Sequence, residues 1–204
     1  MFVIENRQEK SLSQFFAWLG KERSALITFV CSDRGKPYLN VIARHAPKAL
    51  NILDRTHIAA KMNKAIDEVR AQETRALKRL TPGTKVILTH ARWCLLKRPE
   101  HLTENQAIKL KDLLSYNLKS LRAYLLKEEF QLFWEYVSPA WAEQFMDPWC
   151  KKVMRSRLES IKKIARMIRV HKPPILNWFA ARDEISLGAV ERLNNTLKAS
   201  IRTS

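Results

Sequence analysis

Glycine is scarce in this chain, with four in 204 residues, and long stretches carry no chain breaker. That excludes a turn-rich all-β architecture and leans the reading toward helix. Cysteine is scarce too. Cys31, Cys94 and Cys150 are far apart and odd in number, no CxxC pair occurs, and no Cys–His spacing has the form of a zinc site. Buried or incidental thiols in a reducing compartment are the expectation. Long apolar runs are absent: the longest, Ala25 to Cys31, is far too short to span a bilayer. The opening residues Met1 to Arg7 form neither a basic leader nor an apolar signal core, so the expected location is the cytoplasm.

Acidic residues are outnumbered. Thirty-seven Lys and Arg stand against 20 Asp and Glu, a formal net charge of +17. Such an excess calls for a polyanionic partner, because every neutralised phosphate releases counterions and adds affinity independent of sequence. Nucleic acid is the expected partner, with no membrane role. Hydrophobic residues make up 46%, enough to bury a core and to exclude wholesale disorder. The length suits one sizeable domain, or a core with one large insertion.

Up to about residue 60 the pattern alternates between strand and helix. Phe2-Val3-Ile4 reads as a strand, and Leu12, Phe15, Phe16 and Leu19 form the stripe of a following helix. Ala25 to Cys31 is continuous rather than alternating in apolarity, as a strand buried on both faces of a parallel sheet requires. Helix-compatible residues run from Lys36 to Arg44, and Ala49 to Leu53 supplies another short strand. This alternation predicts an α/β layer. Both better strands end in a carboxylate, at Asp33 and Asp54. The carboxyl ends of parallel strands open onto the ligand crevice, which favours chemistry there. The competing reading makes each Asp a cap for the helix that follows it.

From about Ile58 helix takes over. Ala65, Ile66, Val69, Ala76 and Leu77 predict one helix before the Thr81-Pro82-Gly83 break, and Thr103 to Gln106 has the form of a capping box. Leu110, Leu114, Leu118, Leu121 and Leu125 recur at helical spacing over one long stretch. Trp134, Trp141, Phe145 and Trp149 read as packing anchors between helices. A further helix is predicted from Lys151 to about Val170, ended by Pro173-Pro174. Met154, Leu158, Ile161, Ala165 and Ile168 form its buried face. Arg155, Lys162, Lys163, Arg166 and Arg169 line the remainder and are the candidate DNA-binding residues. A second acid-free stretch holds Arg75, Lys78, Arg79, Lys85, Arg92, Lys97 and Arg98. These runs point to phosphate contact and carry no information about base sequence.

Several segments carry a resemblance. Val30 to Asp33 with Lys36 to Ile42 resembles the second-aspartate region of the ISL-three family of insertion-sequence transposases. Asp54-Arg55-Thr56-His57 is similar to that family's Asp-Arg-Phe-His signature. Ala65 to Arg70, Arg92 to Lys97 and Arg122 to Glu128 resemble its helical insertion. Glu191-Arg192-Leu193-Asn194-Asn195 resembles the segment around its catalytic glutamate, normally Glu-Gly-Leu-Asn-Asn. The motifs run in the family's order over nearly the whole chain. Thr56 replaces the signature's aromatic, Arg192 its glycine, and Thr196 its usual lysine.

The resemblance implies an α/β fold, a partial ribonuclease H-like core interrupted by a large all-helical insertion. Residues 1–57 would be the N-terminal part of that core without its first strands, 58–180 the insertion, and 181–204 the C-terminal helix with the glutamate. It implies Asp33 and Glu191 as catalytic and metal-binding residues, with Asp54, His57, Asn194 and Asn195 supporting the site. Mg2+ or Mn2+ would be the cofactor of the intact enzyme, because hard cations take oxygen ligands and phosphoryl transfer uses two of them about 3.5–4 Å apart. Partners would be transposon-end and target DNA, and other transposase copies in an oligomer. The family's first catalytic Asp, zinc-binding region and helix-turn-helix have no counterpart in these residues. The expectation is therefore a truncated DDE transposase, inactive alone. A DNA- or transposase-binding regulator is the alternative, and a helical nucleic-acid binder without transposase ancestry is the third reading.

Overall fold

The computed structural model describes residues 9–32, 36–80, 88 and 91–181. The chain forms two compact units. One comprises Met1–Leu53 together with Leu176–Ser204, the other Asp54–Ile175.

The first unit opens with α1 (Glu9–Leu19) and α2 (Lys21–Ala25), followed by β1 (Phe29–Ser32), α3 (Lys36–His45) and β2 (Leu50–Leu53). Gly20 separates the two helices at φ 82°, a left-handed conformation that a side chain would strain. Phe16, Val41, Ile42 and Ala46 form the core, with Leu12, Phe15, Ile27, Val30, Leu39 and Ala49 packed against it. The ring of Phe16 stacks on His45 at 4.9 Å. β1 and β2 pair in parallel, Phe29 opposite Leu50 and Ser32 opposite Leu53. Parallel pairing and the helix over 36–44 match the sequence reading.

The span of the first strand does not. Ala25 ends a helix, Leu26 is 78% exposed, and β1 begins only at Phe29. The local cause is the α2 turn, in which the Ser24 amide and hydroxyl both donate to the Gly20 carbonyl, at 3.0 and 2.6 Å. Burial of the strand pair is uneven: Phe29 to Cys31 are half-buried and Leu50 is exposed, whereas Ile52 and Leu53, on opposite faces of β2, are each 1% exposed.

The second unit is helical, and the chain as a whole is helix-dominated. It is built on α4 (Arg55–Leu80), whose 26 residues extend roughly 39 Å at 1.5 Å per residue. Then come α5 (Ala91–Leu96), α6 (Glu104–Leu113), α7 (Lys119–Gln131), a 3₁₀ turn (Leu132–Glu135), α8 (Pro139–Arg155) and α9 (Glu159–Val170). α10 (Lys172–Ala181) follows, its residues from Leu176 counting with the first unit. Ile58, Met62, Ala65, Ile66 and Val69 put a continuous buried stripe on α4, which packs on α5, α7 and α9. The expected capping box is present: the Gln106 amide donates to the Thr103 hydroxyl, and the Thr103 amide to the Gln106 side chain.

Two expected long helices are each broken. The Leu110–Leu125 stretch divides at a turn over 114–118, leaving Leu114 and Leu125 about half exposed. The helix expected from Lys151 to Val170 divides at Ser156–Leu158, where Arg157 sits at φ 59°. In both, apolar residues on either side of the break keep a helical spacing, so periodicity reads through it. α9 ends at Val170, where the reading put it, and Pro173-Pro174 then occupy the first turn of α10, where a missing N–H costs nothing. Pro148 lies inside α8. Phe130, Phe133, Trp134 and Trp149 make a buried aromatic cluster, with Phe130 stacked on Phe133 at 5.1 Å. The Trp149 indole donates to the Leu126 carbonyl at 2.9 Å. Trp141, expected among these anchors, is 62% exposed instead.

Candidate functional site

Asp54 directly follows β2 and begins α4. Its carboxylate accepts from the Thr56 amide at 2.8 Å and from the Thr56 hydroxyl at 2.8 Å to each oxygen. Its carbonyl accepts from the Ile58 amide at 3.3 Å, the first bond of the helix. This is N-cap geometry, the side chain satisfying an amide that the helix cannot. Thr56, which departs from the family's aromatic, supplies a hydroxyl bond that an aromatic ring could not make. His57 lies half-buried in the same first turn.

Asp33, Glu191, Asn194 and Asn195 lie outside the described residues. Among the described residues, Ser32 pairs with Leu53, so the carboxyl ends of β1 and β2 are neighbours. The Asn177 side chain donates to the Asn51 carbonyl at 2.9 Å, tying α10 to β2. Among the described residues, no cluster of three or more His, Cys, Asp or Glu could hold a metal ion.

The segments that resemble the family's helical insertion build a polar framework on α4. Asp67 pairs with Arg70 at 2.8 Å and with Arg92 at 3.4 Å. Glu68 accepts from the Ser160 hydroxyl at 2.9 Å, near the start of α9. Glu73 accepts from the Lys119 and Ser120 amides at 2.6 and 2.8 Å, and from the Ser120 hydroxyl at 2.6 Å. Leu118, the N-cap residue of α7, has no side-chain acceptor, and a carboxylate 45 positions away in sequence (118 − 73) takes over its task. Tyr124 on α7 has its phenol pushed up to about 12, by burial first and then by the charges of Glu128 and Glu100.

The basic residues expected to face DNA separate into different situations. α9 buries Ser160, Ile161, Ile164, Ala165 and Ile168. Lys163, Arg166 and Arg169 are exposed on it, and exposed Arg155 ends α8 on the far side of the break. Lys162 is half-buried and pairs with Glu159 at 2.7 Å, with Arg166 3.8 Å from the same carboxylate. The hydrogen bond from Lys162 is the main cause holding the Glu159 carboxyl below its ordinary range.

One feature of the second unit has no counterpart in the sequence reading. A cavity of about 300 Å3 is lined by Arg55, Thr56 and Asn63 of α4, Arg98 beyond α5, and Lys127 and Gln131 of α7, among others, with no acid in its lining. Arg55 sits 5.4 Å from the centre of the Trp134 ring. Burial, and then the charge of Arg98, lowers the Arg55 pKa, with Glu135 opposing. Lys127 is buried, 5.0 Å from the Tyr124 ring centre and 2.7 Å from Glu128. Each cation stands in or beside a segment already singled out, but nothing local in the sequence joins residues 55, 98 and 127.

The described residues form a strand pair and a helical unit, and comparison with known proteins defines the class. The chain belongs to the ISL3 family of DDE transposases, whose sequence profile, described as transposase, matches residues 1–204. It is similar to the transposase for insertion sequence element IS1001 of Bordetella parapertussis, at 29% identity over 97% of this chain and 48% of the relative. The transposase for insertion sequence element IS1557 of Mycobacterium tuberculosis is 30% identical, over 99% of this chain and 49% of the relative. The chain thus spans about half the length of these relatives. No solved structure matches it. No helix among the described residues is long and apolar enough to cross a membrane.

Proposed function

We propose that these residues form part of the catalytic half of an insertion-sequence transposase, contributing Asp33 and Glu191 to a ribonuclease H-like DDE site that cleaves and joins DNA. The observation that carries this reading is the family match over the whole chain. The order of elements along the chain is in keeping with it: two parallel strands precede a helical unit, and Asn177 bonds the Asn51 carbonyl of β2. Asp33 and Glu191 offer the hard oxygen donors that Mg2+ or Mn2+ prefers, and a divalent pair would supply activation of the attacking oxygen and stabilisation of the leaving one. Asp54 serves this site by fixing the start of α4 and hence the exit of β2. The exposed cations Arg155, Lys163, Arg166 and Arg169 hold DNA by its backbone, without base readout.

A polypeptide of residues 1–204 alone supplies two of the three carboxylates, and a two-metal site needs a ligand that serves both ions. Such a polypeptide therefore binds DNA without cutting it, and in that form it would act as a regulator of transposition. The test is a cleavage and strand-transfer assay with Mg2+ or Mn2+ on duplex carrying the element's ends. It compares a full-length transposase that includes this chain with residues 1–204 alone. Activity is expected from the longer protein only, lost on Asp33→Asn and on Glu191→Gln. Retained activity in either variant would refute the assignment.

A further inference from the structure

We infer that the cavity between α4, α5 and α7 is a second phosphate site, which seats one backbone phosphate of a DNA strand on Arg55 and Arg98, with the charge of the buried Lys127 beside them. The inference rests on the transposase reading for its ligand and on the geometry of the helical unit for its location. The cavity presents three cations and no carboxylate. The acids that act on them stand outside its lining: Glu128 lies 2.7 Å from Lys127, Glu100 stands 3.7 Å from Arg98, and the charge of Glu135 acts on Arg55.

The cations are also held in place before any ligand arrives. Arg55 lies over the buried Trp134 ring, which fixes the guanidinium plane while leaving its charge intact. The Lys127 ammonium is positioned by the Leu95 and Lys97 carbonyls at 3.4 and 3.5 Å. Tyr124 beneath it is a neutral phenol whose ring faces the ammonium at 5.0 Å. Burial first, and then the charge of Arg98, lowers the Arg55 pKa, so holding the two guanidiniums together has an electrostatic cost. An anion between them removes that cost. Asn63 and Gln131 add amide donors of the kind that bind sugar and phosphate oxygens. At about 300 Å3 the cavity has room for a phosphate group with its flanking sugar or several waters.

A phosphodiester of DNA and free phosphate share this chemistry, so the experiment has two arms. In the first, binding of the full chain to a labelled duplex is followed by fluorescence anisotropy from 50 to 200 mM salt. The pocket variant Arg55→Gln/Arg98→Gln is compared with a control that removes the same charge at exposed positions outside the pocket, Lys111→Gln/Arg122→Gln. Losing one seated phosphate lowers the slope of log K against log salt by about 1. The deficit of the pocket variant therefore shrinks about fourfold across that salt range, while the control shows at most a small part of this. In the second arm, the melting temperature is followed with inorganic phosphate alone.

Arg55→Lys/Arg98→Lys guards against misfolding, since it keeps both charges and should recover most of the slope. Equal slopes for the pocket and control variants overturn the proposal. So does a pocket slope equal to wild type while inorganic phosphate still stabilises the protein, because the site would then take free phosphate rather than DNA. Failure of the transposase reading looks different. There the longer protein neither cleaves nor joins the element's ends, whatever the pocket variants do in binding.

Discussion

Asp54 occupies a position where catalysis and helix capping would look alike in sequence, and substitution separates them. In the structure both carboxylate oxygens are engaged by Thr56, and the backbone carbonyl starts α4. Asp54→Asn preserves an acceptor for the Thr56 amide and loses only the interaction of charge with the helix end. The cost is therefore about 0.3–1 kcal/mol. Asp54→Ala removes every acceptor, leaves the Thr56 amide to water, and should cost about 1–2 kcal/mol. Thr56→Val, which deletes the hydroxyl bonds but keeps the amide bond, should fall between them. Urea unfolding of the full chain reads these as shifts in midpoint at constant m-value. Cleavage by the full-length transposase should survive Asp54→Asn to within a fewfold, whereas Asp33→Asn abolishes it. Loss of cleavage in Asp54→Asn with stability intact would refute the capping role as sufficient and place Asp54 among the metal ligands.

Glu73→Ala strips three hydrogen bonds from the start of α7 and leaves the buried Ser120 hydroxyl without its acceptor, so unfolding should become easier by about 2–4 kcal/mol. A midpoint shift worth under about 0.5 kcal/mol would show that water replaces the carboxylate. Tyr124 binds its proton more tightly folded than unfolded, so the folded state loses stability as pH rises from about 10 toward 12. Alkaline unfolding curves should show that decline, and Tyr124→Phe should flatten it; an unchanged curve would count against burial as the cause. On α9, neutralising Lys163, Arg166 and Arg169 together should flatten the salt dependence of DNA binding, while Lys162→Gln alone does little because Glu159 already holds that ammonium. Equal effects of the two would undo the distinction. Cys94 and Cys150, both buried with thiols pushed up by burial, should react with alkylating reagents at neutral pH only on unfolding. Rapid labelling of either in the folded chain would contradict the packing.

What the sequence determined by itself was local or cumulative. The capping box at Thr103–Gln106 needs four consecutive residues, and the helix over 36–44 and the strand Leu50–Leu53 follow from short-range pattern. The charge excess is a sum over residues and needs no geometry. The transposase family was legible because its motifs keep their order along the chain. Where the helices end was not. Apolar spacing reads through the turns at 114–118 and 156–158, because helical periodicity survives when a break falls between two helices whose buried faces stay in phase. The tertiary structure alone decided the pairings between distant residues. Glu73 caps a helix that begins 46 positions later, Glu68 meets Ser160 across 92, and residues 55, 98 and 127 line one cavity. Such contacts depend on which faces of α4, α5 and α7 pack together. That is set by burial of their apolar stripes, which constrains the polar residues riding on those faces only after the helices have docked.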